Sequence, residues 1–320
     1  MNPIGPTKRV LSIQSHVVSG YVGNKCAVLP LNRLGFDVDA INSVQFSNHT
    51  GYKVVKGQKL SGEDLEAIAS GLEENFLFER YTHVLTGYIG NVSMLESIAK
   101  VIKKLKLESP GLQYVCDPVC GDDGKLYCHP DMPKAFETIL MPLATVVTPN
   151  QFEAELLSGM NIRHVDDAVR ACEVLHDKGP NVVVITSLSF PEDDNVISIV
   201  ASIKTDQGLT KVYTMRIPRI KGYFTGTGDL FCALLLGWID KYPGDLQRAL
   251  EHAVGGVQGV LEETVKCIPN VSLEEQEEQE EYSATWWRSR DLRLVESQEK
   301  LIHPDIRHVC TELSSTEKKP

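Results

Sequence analysis

The stretch Gly226-Thr227-Gly228-Asp229 runs without a break into Leu230-Phe231-Cys232-Ala233-Leu234-Leu235-Leu236. The apolar run reads as a buried helix, and the tetrapeptide sets two glycines and a carboxylate at its first turn. Backbone N–H groups there lack intrahelical acceptors and the positive end of the helix dipole faces outward, so the turn suits an anion. A carboxylate in the same place also takes a proton. With a hydroxyl group between Asp229 and a phosphate, one turn supplies both the general base and the anion hole of a phosphoryl transfer. Thr and Asp are equally favoured at helix starts for capping alone. Both readings of Asp229 stand on the tetrapeptide, and the surrounding chain has to separate them.

Outward from this helix the chain alternates short apolar runs with amphipathic stretches. Residues 10–13 read as a strand, 23–35 as a helix, 37–44 as a strand and 63–75 as a helix, which is the βαβ rhythm. It continues with strand 83–85, helix 94–107, strands 113–116 and 144–147, helices 151–158 and 166–178, and strand 182–185. These strands are nearly continuous hydrophobic runs, as expected when helices cover both faces of a parallel sheet. Residues 196–203 and 210–217 read as an antiparallel pair around Gln207-Gly208, and helices 229–241 and 246–264 close the unit. The expected fold is therefore a single α/β domain over 1–268, with a doubly wound, mostly parallel central sheet.

Composition narrows the function classes. The chain has 320 residues, 42% hydrophobic and 23% charged, enough for a sizeable core. Of the net charge of −11, the run 273–281 contributes six glutamates, so the remainder carries −5. No basic stripe with interleaved aromatics is present, which argues against nucleic acid, and the acidic balance argues against an anionic membrane surface. No run approaches a transmembrane span, and Met1 to Arg9 has the marks of neither a signal nor a transit peptide, so a cytoplasmic location is expected. Eight cysteines without a CxxC pair read as reduced thiols. Cys116, Cys120 and Cys128, followed by His129, are the closest cluster, but Cys116 falls inside an apolar strand and structural zinc prefers tighter ligand pairs, which disfavours a metal site there.

In a doubly wound sheet, ligands collect outside the carboxyl ends of the strands. Polar clusters stand at those ends: Ser15-His16, then 45–51 with Asn48-His49-Thr50-Gly51, then Thr86-Gly87-Tyr88, then 117–122 with Asp117 and Asp122, then Thr148-Pro149-Asn150-Gln151-Phe152-Glu153, then Thr186-Ser187. Any one of them is compatible with a turn or a cap; six on one rim form a candidate site. Asn150 and Glu153, three apart at a helix start, share a face and reach one magnesium ion or its waters, with mutual capping as the alternative. Asp117 and Asp122 bracket a short Gly-containing loop suited to folding over a nucleotide, with Tyr127 just beyond. Magnesium keeps several waters and needs only one or two carboxylates beside substrate phosphates.

The segments 12–24, 43–52 and 148–159, together with 226–231, resemble those of the eukaryotic pyridoxal kinases of the ribokinase superfamily, over about residues 8–266. The Gly-Thr-Gly-Asp and Asn-x-x-Glu motifs are shared across that superfamily and indicate a kinase; the Ser15 and Asn48-His49-Thr50-Gly51 segments point to vitamin B6. The resemblance implies a ribokinase-like fold and phosphorylation of the 5′-hydroxyl of pyridoxal, pyridoxine and pyridoxamine by ATP. It implies Asp229 as the base, with the amides of Gly226, Thr227 and Gly228 stabilising the transferred phosphoryl group. Ser15, Val22, His49, Thr50 and Tyr88 would hold the pyridine ring. Asp117, Tyr127, Asn150, Glu153, Thr186, Ser187 and Thr227 would line the ATP site, with Ile220 and Phe224 beside the adenine. Magnesium or another divalent cation would sit near Asp122 and Glu153, and a monovalent cation, K+ or Na+, near Asp117, Thr148 and Thr186. A homodimer is implied as well. A sugar kinase, a hydroxymethylpyrimidine kinase and a non-catalytic B6-binding protein are the alternatives.

Two stretches depart from the family pattern. The loop 120–127 is short, and the acidic run after Val271 does not align. Residues 269–285 are therefore expected to be a disordered acidic insert, since such blocks repel and rarely pack. Residues 290–298 again resemble the family's C-terminal helix, so 286–306 are expected as a C-terminal helix docked on the kinase domain, with Trp286 and Trp287 as its anchor or as part of an interface, and 307–320 as a flexible tail.

Overall fold

A computed structural model describes residues 8–191, 193–205, 209–269 and 283–313. The turn expected at Gln207-Gly208 and the acidic run 273–281 lie outside the described residues. The first strand, β1 (Arg9–Val17), leads through α1 (Asn24–Arg33) to β2 (Asp37–Phe46), whose outer edge carries the short β3 (Gly57–Lys59). Next come α2 (Gly62–Glu74), β4 (His83–Thr86), α3 (Val92–Glu108) and β5 (Gln113–Cys116). A small hairpin of β6 (Gly121–Asp122) and β7 (Lys125–Leu126) stands apart from the main sheet. After a helical segment that opens with α4 (Met132–Ala135), the order is β8 (Val146–Val147), α5 (Gln151–Ser158), α6 (Val165–His176) and β9 (Val182–Leu188). Strands β10 (Val196–Lys204) and β11 (Thr210–Pro218) follow, then helices α7 (Thr227–Lys241) and α8 (Leu246–Val265).

The main sheet has ten strands in the order β12-β11-β10-β9-β8-β5-β4-β1-β2-β3, where β12 is Thr311–Leu313. Its central six strands are parallel. Antiparallel pairing is confined to β3 at one edge and to β10, β11 and β12 at the other. Each face is covered by helices. Leu11 and Ile13 of β1 join the layer that contains Leu65, Leu95 and Cys172, while Val10, just before them, joins the layer with Leu31, Leu234 and Ala253, as the period of two along a strand requires. From β1 the chain first winds to β2 on one side and then crosses to β4 on the other. The crevice outside the carboxyl ends of β1 and β4 is the topological switch point where ligands of such sheets bind.

The expected elements are present with small shifts, and three expectations change. The strand expected over 144–147 is limited to Val146–Val147. Residues 132–143, left unassigned in the sequence, are helical in three unlike turns: α4, a wider turn over Phe136–Leu140 and a tight one over Met141–Leu143. Pro133 and Pro142 each stand second in their turns, within the first helical turn, where the missing N–H is no loss.

The single helix expected over 286–306 is instead two short ones, α9 (Ala284–Ser289) and α10 (Gln298–Ile302). Between them Leu292 and Leu294 are both buried, and the Arg293 N–H donates to the Thr264 hydroxyl at 3.1 Å, which ties the link to α8. The tail expected to be flexible from 307 contains β12, which pairs Thr311, Glu312 and Leu313 with Thr214, Tyr213 and Val212 of β11. Residues 314–320 lie outside the described residues.

Candidate active site

Two helix starts meet at the site, and each depends on a glycine. Gly226 precedes α7 with φ at 82°, and a Cβ on it would overlap the Tyr21 carbonyl oxygen. Gly23 precedes α1 with φ at 54°, and a Cβ on it would overlap the carbonyl oxygen of Ser15. Other residues rarely adopt such φ values, and here there is no room for a side chain either. The close approach leaves the Gly23 N–H pointing at Asp229 Oδ2, 2.7 Å away. No side chain caps the first turn of α7, and Gly226, Thr227 and Gly228 line a cavity of about 1320 Å3, so the anion-binding end of the helix opens onto that space. Burial raises the pKa of Asp229 and the Gly23 bond pulls it down. A carboxylate tuned upward in a cleft is suited to taking a proton.

Next to this turn lie two more acids. Asp117, buried after β5, is held far above the usual carboxylate range, first by burial and then by the charges of Glu153 and Asp229; hydrogen bonds from the Cys232 thiol and the Thr148 hydroxyl oppose the shift. Glu153 is buried at the start of α5, and burial pushes it up to about 7. Its Oε2 accepts the Asn150 N–H at 3.0 Å, and its Oε1 accepts the N–H of Cys120 at 2.8 Å and of Gly121 at 3.4 Å. Asn150 completes a capping box through Glu153 N–H at 2.9 Å and donates to the Gly121 carbonyl at 2.7 Å. Asn150 and Glu153 are thus helix caps that also hold the base of the β6–β7 hairpin. Asp122, on that hairpin, accepts the Asp123 N–H at 2.9 Å. Among the described residues, no group of three or more His, Cys, Asp and Glu is placed to hold a metal ion.

On the other side of the cavity stand the residues of β1, β2 and β4. Ser15 and His49 are buried, and Thr50 is exposed at the rim. The Asn48 amide pins its own loop by donating to the carbonyls of His49 at 3.2 Å and Val54 at 3.1 Å. Burial pushes the His49 pKa down to about 4, so the ring is neutral near pH 7. Because the Gly51 amide donates to His49 Nδ1 at 3.2 Å, the ring proton belongs on Nε2. The hydroxyl of Ser43 on β2 donates to the Tyr88 carbonyl at 2.8 Å and fixes the turn that carries Tyr88.

Every site residue expected from sequence lines this one cavity: Ser15, Val22, His49, Thr50 and Tyr88, the acids Asp117, Asp122, Glu153 and Asp229, and Tyr127, Thr148, Asn150, Thr186, Ser187, Ile220, Phe224 and the Gly226-Thr227-Gly228 turn. Ser187 holds a positive φ of 57°, a strained conformation that recurs at ligand sites. Sequence reasoning missed Gly23, whose amide meets the base, and Arg219, which bears on the Asp122 carboxyl. It also missed the α8 wall of Val254, Val257 and Leu261. Gly23 carried a signal, a glycine just before a helix; the α8 residues carried none beyond ordinary core periodicity.

Comparison with known proteins bears on the same constellation. The family model described as phosphomethylpyrimidine kinase matches residues 36–271. The pyridoxal kinase of Arabidopsis thaliana is 48% identical over 301 residues, 94% of this chain and 93% of that protein. The pyridoxal kinase of Homo sapiens is 44% identical over 269 residues, 81% of this chain and 86% of that protein. The solved pyridoxal kinase from Leishmania donovani in complex with ADP and pyridoxamine superposes with a TM-score of 0.85 at 36% identity, covering 96% of this chain and 99% of that one. At such identity over nearly its whole length, with the fold shared to the same extent, the chain belongs to the pyridoxal kinase family.

Proposed function

We propose that this protein transfers the γ-phosphoryl group of ATP to the 5′-hydroxyl of pyridoxal, and of pyridoxine and pyridoxamine, releasing the 5′-phosphate and ADP. The observation that carries the reading is the Asp229 carboxylate, held by the Gly23 amide at the first turn of α7, inside a cavity shared by both expected subsites. Ser15, His49 and Thr50 supply polar contacts to the pyridine ring and its substituents, with Val22 and Tyr88 against its faces. Asp229 removes the hydroxyl proton, and the amides of Gly226, Thr227 and Gly228 receive the phosphoryl oxygens as charge moves onto them. Tyr127, Asn150, Thr186, Ser187, Ile220 and Phe224 surround the nucleotide.

The donor set fits magnesium that is bound chiefly by phosphates and water. Glu153 has both oxygens occupied by backbone amides, and among the described residues only one Asp122 oxygen is hydrogen-bonded, which suits contact through water better than a protein cage. Bound there, the ion would neutralise charge on the phosphates. A buried Asp117 whose strongest charged neighbours are two further carboxylates fits a monovalent cation, with Thr148 and Thr186 as neutral oxygen donors. The same reading carries a homodimer, checked by sedimentation, and a cytoplasmic location, checked by fractionation.

The decisive experiment incubates the protein with magnesium ATP and, separately, pyridoxal, a hexose or ribose, and a hydroxymethylpyrimidine. Preferential phosphorylation of pyridoxal is expected. Preference for the pyrimidine, the second reading favoured by the description of the matched family model, would overturn it, and no turnover with any alcohol would leave a binding protein.

A further inference from the structure

Trp287 lies on α9, outside the cavity, yet it touches both sides of it. Its ring is buried, 7% exposed, and meets the His49 imidazole edge-on with centroids 4.8 Å apart and the Tyr223 ring edge-on at 5.6 Å. Tyr52, which itself meets His49 at 4.7 Å, lies 6.0 Å from Trp287. The indole packs so closely on the Gly51 backbone that a Cβ there would come within 2.7 Å of it. Tyr223 in turn neighbours Tyr127, just past the β6–β7 hairpin, closely enough to add to the rise in phenol pKa that burial causes there. A line of four rings, Tyr127, Tyr223, Trp287 and His49, therefore runs from the nucleotide side to the ring-binding side.

The line bridges three segments that no backbone hydrogen-bond ladder joins: the loop 47–52 after β2, the loop 219–226 before α7, and the hairpin. His49 needs such support. Gly51 fixes one ring nitrogen, but only packing fixes the tilt of the plane, and here the packing comes from Tyr52 and Trp287.

We infer that Trp287 is a positioning residue for both substrates: it sets the His49 ring against the vitamer and, through Tyr223, sets the loop and hairpin that close on the nucleotide. The inference rests on the B6-kinase reading above. Aromatic pairs of this geometry carry about a threefold to tenfold effect each on an equilibrium constant. Because Trp287 does not line the cavity, its loss acts on binding through the residues it positions and leaves the Asp229 turn alone.

The test compares Trp287→Phe, Trp287→Leu and Tyr223→Ala with the wild-type protein, reading KM for pyridoxal, KM for ATP, kcat and melting temperature. Trp287→Leu is expected to raise both KM values by about tenfold with kcat within about threefold, and Trp287→Phe to restore most of the loss. Tyr223→Ala, on the nucleotide side, is expected to raise KM for pyridoxal as well, and to add little to it in the Trp287→Leu background. If Trp287→Leu fails to fold, the exposed Tyr223 still decides: an unchanged pyridoxal KM in Tyr223→Ala overturns the inference. So does a Trp287→Leu protein that folds with one or both KM values unchanged, or whose kcat falls in step with kcat/KM. A wild-type protein that does not phosphorylate pyridoxal defeats the functional reading itself, separately from these outcomes.

Discussion

The Asp229 carboxylate accepts the Gly23 amide at 2.7 Å, a bond that spans 206 residues of sequence and joins the first turns of α1 and α7. One oxygen is thereby fixed and the other is left for a substrate hydroxyl. Since Ser15 lies against Gly23 from the other side, the base and the ring-binding wall are set by the same glycine.

Removing the base tests the role directly. Asp229→Ala is expected to lower kcat by about 10²–10⁴, the usual range for a lost general base, while dissociation constants for pyridoxal and ATP, measured by calorimetry, stay within a few-fold of wild type. Near-normal turnover would leave Asp229 with no role beyond its structural bond to the Gly23 amide.

Gly23→Ala should damage the same corner without touching a charge. The new Cβ collides with the Ser15 carbonyl at a φ of 54°, a strain of about 1–3 kcal/mol. The expected result is a lower midpoint in urea unfolding together with a loss of kcat, because the amide that fixes Asp229 shifts. A variant with wild-type stability and rate would show that the loop is free to rearrange.

Glu153→Gln separates the two readings of that residue. Three backbone N–H groups converge on its two oxygens, and a Gln amide offers one oxygen and one NH2, so a donor would face a donor whichever way it turned. KM for ATP should rise as the hairpin loosens, by about tenfold for one buried donor left unsatisfied, while the magnesium concentration for half-maximal rate changes little. A large shift in magnesium dependence would instead make Glu153 a direct ligand.

Burial of His49 has a consequence for acid stability. Its folded pKa of about 4 lies below the ordinary 6.5, so between these values the unfolded chain binds more protons, and stability falls as pH drops through that window. His83, also lowered to about 4 by burial, acts in the same direction. The melting temperature should therefore decline from pH 6.5 toward 4, and His49→Phe should make the decline shallower without abolishing it. An unchanged slope in the variant would mean that His49 is protonated in the folded protein.

The order of strands and helices was legible because the parallel strands β1, β4, β5, β8 and β9 are largely apolar runs bounded by polar residues, and the rim residues at their ends, Ser15, Tyr88, Asp117 and Asn150, followed from the doubly wound rule. The edges were not. Strand β12 is three residues whose pairing with β11 is set by tertiary contact, and the break between α9 and α10 comes from Leu292 and Leu294 entering the core beside α8. Nor did spacing along the chain reveal that Trp287 would sit beside His49, since the contact joins residues far apart in sequence.

Asp117 offers a prediction in which stability and function move in opposite directions. Its carboxyl is buried, and its pKa is held far up by burial and by the charges of Glu153 and Asp229. An acid whose folded pKa is raised binds more protons folded than unfolded, so its contribution to stability is lost progressively as pH climbs above the ordinary 3.8. Asp117→Asn keeps the shape, still accepts from the Thr148 hydroxyl and carries no charge. In the absence of ligands the variant should melt higher than wild type, by a margin that widens from pH 5 to pH 8 and reaches about 0.5–2 kcal/mol. Its turnover should fall, and the rate should lose its dependence on potassium or sodium, because the carboxylate that offsets a cation is gone. A variant that melts lower at pH 8 would mean that Asp117 already has a compensating partner in the folded protein.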